Sequence, residues 1–311
     1  MKWFRFSLSL FVGAVVLAGG LAQAQDESNP PSFHHIHINA VDPANSIEFY
    51  RTMFGAPPVK FRGASDASLT DRSFILYTKV DEPAPSKMIS ALYHIGWGGV
   101  DGPSDFAWRD KKGMEWQTGL STLGAEHYMY AYGPDREVVE VWTGFRHHRF
   151  GHVHLFSDDV GIATKWYVDN LGVTGPARVA PKPPKAPDDF SSTLDNPQQI
   201  FRYLWTSQVS TSNEVAINIF GTPSTKTVNW WTDPPIDEPL VKSDGRCIDH
   251  IAFSYRDIEP VLAHMKKNGV EIVEGIKERK EYNMKSFFVR GPDSALIEIV
   301  EARPLPEGVW E

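Results

Sequence analysis

The sequence predicts an α+β fold built from four copies of one module, each opening with a strand and a helix and closing on further strands. Three observations predict it. A His-x-His segment with its downstream residues recurs at a constant offset of 117 residues. An aspartate stands seven residues after a histidine in four places. A Gly-Pro-Asp turn precedes an apolar strand carrying a glutamate twice, with seven residues from glycine to glutamate in both.

At the N-terminus, Lys2 and Arg5 precede the apolar run Leu8 to Leu21, and Ala22-Gln23-Ala24 supplies a small-x-small cleavage site. This pattern reads as a secretory signal peptide over residues 1–24, because the apolar run is shorter than the roughly 20 residues a membrane-spanning helix needs. The expectation is a periplasmic or secreted protein with no stable membrane anchor after cleavage.

The first module, near 33–80, begins with His35-Ile36-His37-Ile38, whose alternation marks a strand. Asp42-Pro43 then reads as a helix N-cap followed by proline, Ile47, Tyr50 and Phe54 form an apolar stripe, and Gly55 ends the helix. The third module, near 150–222, repeats the design with His152-Val153-His154-Leu155, Asp159, the stripe Ile162, Trp166 and Leu171, and Gly172. The second module, near 88–143, opens at Tyr93-His94-Ile95-Gly96; Gly98-Gly99 and Asp101-Gly102-Pro103 predict a short or irregular helix after it. The fourth, near 246–303, opens at Asp249-His250-Ile251-Ala252-Phe253, with Asp257 ahead of a helix bearing Ile258, Val261, Leu262 and Met265. Gly133-Pro134-Asp135 before Val138–Val141 and Gly291-Pro292-Asp293 before Leu296–Ile299 read as turns between antiparallel strands. The stretch Pro181 to Pro197 and the loop around Pro234-Pro235 read as long surface excursions.

Composition excludes some functions. The formal charge is −8, and cleavage after Ala24 leaves 29 basic against 39 acidic residues, a formal −10. Nucleic acid is therefore not an expected partner. The single cysteine, Cys247, rules out an internal disulfide and reads as a small core residue.

Four βαβββ units, each opening with a histidine on its first strand and with Glu140 and Glu298 on the last strands of the second and fourth, resemble the vicinal oxygen chelate superfamily. Its members include glyoxalases, extradiol dioxygenases, an epimerase and bleomycin-resistance proteins. The resemblance implies modules paired into two cleft-forming halves, 33–145 and 150–303, each able to hold one metal. It implies His35, His94 and Glu140 as ligands in the first half and His152, His250 and Glu298 in the second. Whether one or both halves keep a working site stays open. Two imidazoles and a carboxylate on rigid strands occupy one face of an octahedral ion and leave positions for a bidentate substrate.

His37 and His154 lie two residues beyond proposed ligands, on the same strand face, and are expected as acid-base or substrate-contacting groups. His127 is expected to accompany the first cleft. A lone strand histidine is more often a hydrogen-bonded structural residue. Four equivalent histidines, together with glutamates inside Val139-Glu140-Val141 and Ile297-Glu298-Ile299, demand a stronger explanation, since a buried carboxylate is costly without a cation.

The functional expectation is an exported metal-dependent enzyme acting on a small substrate that chelates the metal through vicinal oxygens, as an extradiol-type dioxygenase does. The expected cofactor is a divalent ion, Fe or Mn ahead of Zn, Ni or Co. Alternatives are a glyoxalase-like lyase, isomerase or epimerase, and a non-catalytic small-molecule binder. A four-module chain can complete its own clefts, so monomer and homodimer are both allowed.

Overall fold

The computed structural model describes residues 29–185, 203–223 and 236–301. The expected signal peptide, most of the Pro181–Pro197 excursion and the Pro234-Pro235 loop lie outside these residues. The first module comprises β1 (Ser32–Ala40), α1 (Pro43–Phe54), β2 (Pro58–Phe61), β3 (Ser65–Leu69) and β4 (Phe74–Lys79). The second comprises β5 (Leu92–Gly98), α2 (Gly102–Lys111), β6 (Trp116–Leu123), β7 (Glu126–Tyr132) and β8 (Val138–Trp142). The third contributes β9 (Arg149–Ser157), α3 (Val160–Leu171), β10 (Thr206–Ser210) and β11 (Ala216–Gly221). The fourth comprises β12 (Ile248–Tyr255), α4 (Glu259–Lys267), β13 (Ile272–Arg279), β14 (Met284–Arg290) and β15 (Leu296–Glu301).

Three of the recurring aspartates, Asp42, Asp101 and Asp159, are helix N-caps, and Asp257 stands one residue ahead of the cap Ile258. The Asp42 carboxylate accepts from the Ala44 and Asn45 amides, Asp101 from Ser104, Asp159 from Ile162 and Asp257 from Glu259. Each satisfies an amide that the first helical turn leaves unpaired, typically worth about 1 kcal/mol. Two helical expectations are corrected. α2 is a regular ten-residue helix, because the Asp101 cap and a proline in the first turn outweigh the flanking glycines. In α3 the buried stripe runs through Val160, Ala163, Tyr167 and Leu171, while Ile162 is 69% exposed.

The modules pair into two sheets, but not in chain order. The first joins the fourth in an eight-stranded sheet, β13-β14-β15-β12-β1-β4-β3-β2, and the second joins the third in a seven-stranded sheet, β10-β11-β9-β5-β8-β7-β6. The opening strands make both joints, β1 antiparallel to β12 and β5 antiparallel to β9. The division into halves 33–145 and 150–303 therefore follows the duplication in the sequence, whereas each sheet takes one module from each half. The register of the first joint is set by apolar partners such as Phe33↔Phe253 and Ile36↔Ile251, whose side chains enter the core.

Consecutive modules meet behind the sheets instead. Trp97 of β5 packs 4.6 Å from Phe54 and 5.7 Å from Tyr50 of α1, ring centre to ring centre. The Gly-Pro-Asp turns lock the same contact, because the Asp135 carboxylate accepts from the Val41 amide and the Ser46 hydroxyl. Asp293 accepts from the Asp158 amide, which lies 117 residues beyond Val41. The two halves thus repeat one docking bond. No helix among the described residues is long and apolar enough to cross a membrane.

Candidate metal centres

Cross-pairing of the modules gathers the six expected ligands into two clusters. In the eight-stranded sheet, β1 supplies His35, β12 supplies His250 and β15 supplies Glu298. His35 Nε2 lies 3.3 Å from His250 Nε2 and 3.2 Å from Glu298 Oε2, and His250 Nε2 lies 3.6 Å from Glu298 Oε2. One ion with bonds of about 2.1 Å at right angles sets its donors about 3 Å apart, which matches this triangle.

In the seven-stranded sheet, β9 supplies His152, β5 supplies His94 and β8 supplies Glu140. Glu140 Oε2 lies 2.7 Å from His152 Nε2 and 3.3 Å from His94 Nε2. Glu140 is fully buried, and among the described residues its Oε1 lacks a hydrogen bond of ordinary geometry, although the Tyr130 hydroxyl lies near the carboxylate. A buried carboxylate facing two imidazoles is what a cation would complete. The geometry thus groups the candidate ligands as His35/His250/Glu298 and His152/His94/Glu140. The sequence-order grouping of His35 with His94 and Glu140, and of His152 with His250 and Glu298, is corrected. That grouping assumed that neighbours in the chain share a sheet.

Charge states favour cation binding. Burial alone would raise both carboxyls, but the flanking imidazoles hold Glu140 and Glu298 well below the usual carboxylate range. Desolvation depresses His35, His94 and His154, which keeps their rings neutral. His250 departs from this. Desolvation again works against its charge, but hydrogen bonds to Asp249 and Glu298 carry it up to about 9.

His37 and His154 sit beside these clusters. The His37 ring stacks on His250 at 4.6 Å, with Nε2 2.7 Å from the Thr78 hydroxyl. The His154 ring lies 4.1 Å from that of His94, and the Asn218 amide lies 2.7 Å from its Nε2. Both are held by a polar side chain on the neighbouring parallel strand of their own module.

His127 does not join either cluster. Tyr130 pairs with Glu140 across β7 and β8, so strand alternation turns residue 127 to the other face. There its ring packs against the start of α2, so that a Cβ on Gly102 would fall 2.4 Å from His127 Cγ. His148, in the linker, pairs with Asp105 at 2.6 Å.

Some site residues were not singled out from the sequence. Asp249, next to His250, holds its Nδ1 at 2.6 Å, and His34 Nδ1 lies 2.7 Å from His35 Nδ1. Gly96 faces His152, and a Cβ there would fall 1.9 Å from His152 Nε2. Adjacency to His250 could have flagged Asp249, and the two-residue step from His94 could have flagged Gly96. The centres also differ opposite the glutamate, since Tyr130 pairs with Glu140 where Phe288 pairs with Glu298.

Paired βαβββ modules in two sheets, each with a two-histidine, one-carboxylate cluster, match the vicinal oxygen chelate fold. The model of the Glyoxalase/Bleomycin resistance protein/Dioxygenase superfamily matches residues 149–299. That match covers the second half of the chain, and for the first half the likeness is one of fold. Glyoxalase I from Zea mays superposes with a TM-score of 0.62 at 13% identity, covering 88% of this chain and 93% of its own. The V278E mutant of the same enzyme gives 0.61 at 14% identity, with coverage of 88% and 93%. A candidate dioxygenase from Bacillus subtilis gives 0.56 at 13% identity, covering 89% and 87%. At these identities the likeness concerns the fold. No curated protein matches the sequence.

Proposed function

We propose that this protein is a metal-dependent enzyme acting on a small molecule that chelates the metal through neighbouring oxygens, with extradiol-type oxygenation as the specific reaction. The observation that carries this reading is the pair of two-histidine, one-glutamate clusters, in which Glu298 faces His35 and His250 and Glu140 faces His152 and His94. A divalent ion, Fe or Mn in this reading and otherwise Zn, Ni or Co, supplies Lewis acidity and, if redox-active, a binding position for dioxygen.

The chain's own residues supply the rest. His35, His250 and Glu298, and separately His152, His94 and Glu140, fix the donors on strands rather than loops. The rings of His37 and His154 lie 4.6 and 4.1 Å, centre to centre, from those of His250 and His94 and can exchange a proton with a chelating hydroxyl. The Tyr130 hydroxyl lies against Glu140. The substrate is a small molecule, not nucleic acid, and the protein acts as a monomer or homodimer. Residues 1–24 support export to the periplasm or medium with no lasting anchor, and the N-terminal mass of the protein purified from its host would test cleavage.

The deciding experiment loads the protein anaerobically with Fe(II), adds catechol-type diols and follows oxygen uptake. Uptake coupled to ring cleavage is expected. Solvent-deuterium exchange beside a carbonyl without uptake would replace this with lyase or isomerase chemistry. Tight ligand binding by metal-free protein, unchanged in His35→Ala and His250→Ala, would replace it with a binder.

A further inference from the structure

The two centres share their three ligand types and strand positions but differ in what holds the imidazoles from behind. In the His35/His250/Glu298 centre both rings are held at Nδ1. Asp249 Oδ1 stands 2.6 Å from His250 Nδ1, and His34 Nδ1 stands 2.7 Å from His35 Nδ1. Asp249 is itself fixed, its Oδ2 accepting from the Gly245 amide at 2.6 Å and the Asn39 amide at 3.2 Å. In the His152/His94/Glu140 centre, Tyr93 occupies the position of Asp249 and Gly151 that of His34. His94 Nδ1 is buried and has no hydrogen-bond partner among the described residues.

The source of His34 is a local irregularity of β1. Register with β12 shifts between Phe33 and His35, so His34 is an extra residue. The same shift in the other joint falls between Phe150 and His152, where the extra residue is Gly151. One bulge thus carries a supporting ring in one centre and nothing in the other.

A carboxylate on the far nitrogen of a metal-binding imidazole fixes ring orientation and tautomer and strengthens the donor, and its loss typically weakens metal binding about 10- to 100-fold. An imidazole without such a partner must desolvate an N–H for no return and stays free to rotate. We infer that the two centres are unequal, His35/His250/Glu298 being the tight one, and that Asp249 is the positioning residue that makes it so. The inference rests on the metal-enzyme reading above. It assigns persistent occupancy to one centre and exchangeable metal to the other.

The test titrates the metal-free full chain with Zn(II) by calorimetry, alongside Asp249→Asn and Glu140→Gln, with near-ultraviolet circular dichroism as the fold control. Wild type should bind two equivalents in resolved steps. Glu140→Gln should lose the weaker step and keep the tighter one. Asp249→Asn should weaken the tighter step about 10- to 100-fold and leave the weaker one unchanged. Loss of the tighter step in Glu140→Gln, or an Asp249→Asn titration matching wild type, would overturn the inference. Zinc binding absent from wild type would overturn the metal reading itself. Should Asp249→Asn fail to fold, the Glu140→Gln titration still decides which centre is tight.

Discussion

Gly96 on β5 stands directly across from His152 on β9, and a side chain on it would reach within 1.9 Å of the imidazole Nε2. The glycine holds open the space that the imidazole fills. Its counterpart in the other sheet is Ala252, paired with His35, where a methyl group is accommodated. Gly96→Ala is therefore expected to rotate His152 away from Glu140 and to lower bound metal from two ions per chain to one. The fold should survive, because the obstructed atom is the end of a side chain and alanine costs a strand less entropy than glycine. Metal content by elemental analysis checks the loss, and a melting temperature close to wild type checks the fold.

Glu137 gives the protein a pH dependence unrelated to its ligands. Burial pushes this carboxyl up to about 7 from an ordinary value of 4.5, and the Tyr50 hydroxyl, donating at 2.6 Å, reduces the shift only in part. Between those two pH values the native state holds a proton that the unfolded chain releases, so stability should fall as pH rises from about 4.5 to about 7. The full effect is about 3 kcal/mol at most. Glu137→Gln should flatten this slope and stabilise the protein at pH 8 relative to wild type. Urea midpoints at pH 5 and pH 8 measure both effects; parallel pH profiles for the two proteins would contradict the assignment.

Asp135 ties the second module to the first through the Val41 amide at 2.9 Å and the Ser46 hydroxyl at 2.8 Å. Asp135→Ala leaves both donors without that acceptor and should cost about 1–3 kcal/mol. Since the bond lies behind the sheets, metal content should stay at the wild-type level. Denaturant unfolding and elemental analysis together separate this docking role from a role in the site.

Much of the site was legible because ligand chemistry is local. The strand alternation around His35, His152, Glu140 and Glu298 fixes which side chains share a face, and all six expected ligands reach the two clusters. The caps at Asp42, Asp101 and Asp159 were equally readable, since an N-cap is decided within one helical turn. Partner choice was not legible. His35 and His250 are 215 residues apart, and nothing within either strand says which opening strand the other will meet. The misplacement of His127 has a simpler cause, because its odd step from Tyr130 already turns it from the Glu140 face. Ile162 misled because the register of the α3 stripe is set by Tyr167 and Leu171 against the core rather than by the most apolar residue of the first turn.

The central claim is that each metal centre joins modules from opposite halves of the chain. It is tested most directly by metal stoichiometry in two double variants. His35→Ala/Glu298→Ala removes two ligands from one centre, so the protein should retain one ion. His35→Ala/Glu140→Ala damages both centres and should retain none. The reverse result, one ion kept by His35→Ala/Glu140→Ala and none by His35→Ala/Glu298→Ala, would contradict the cross-paired sites.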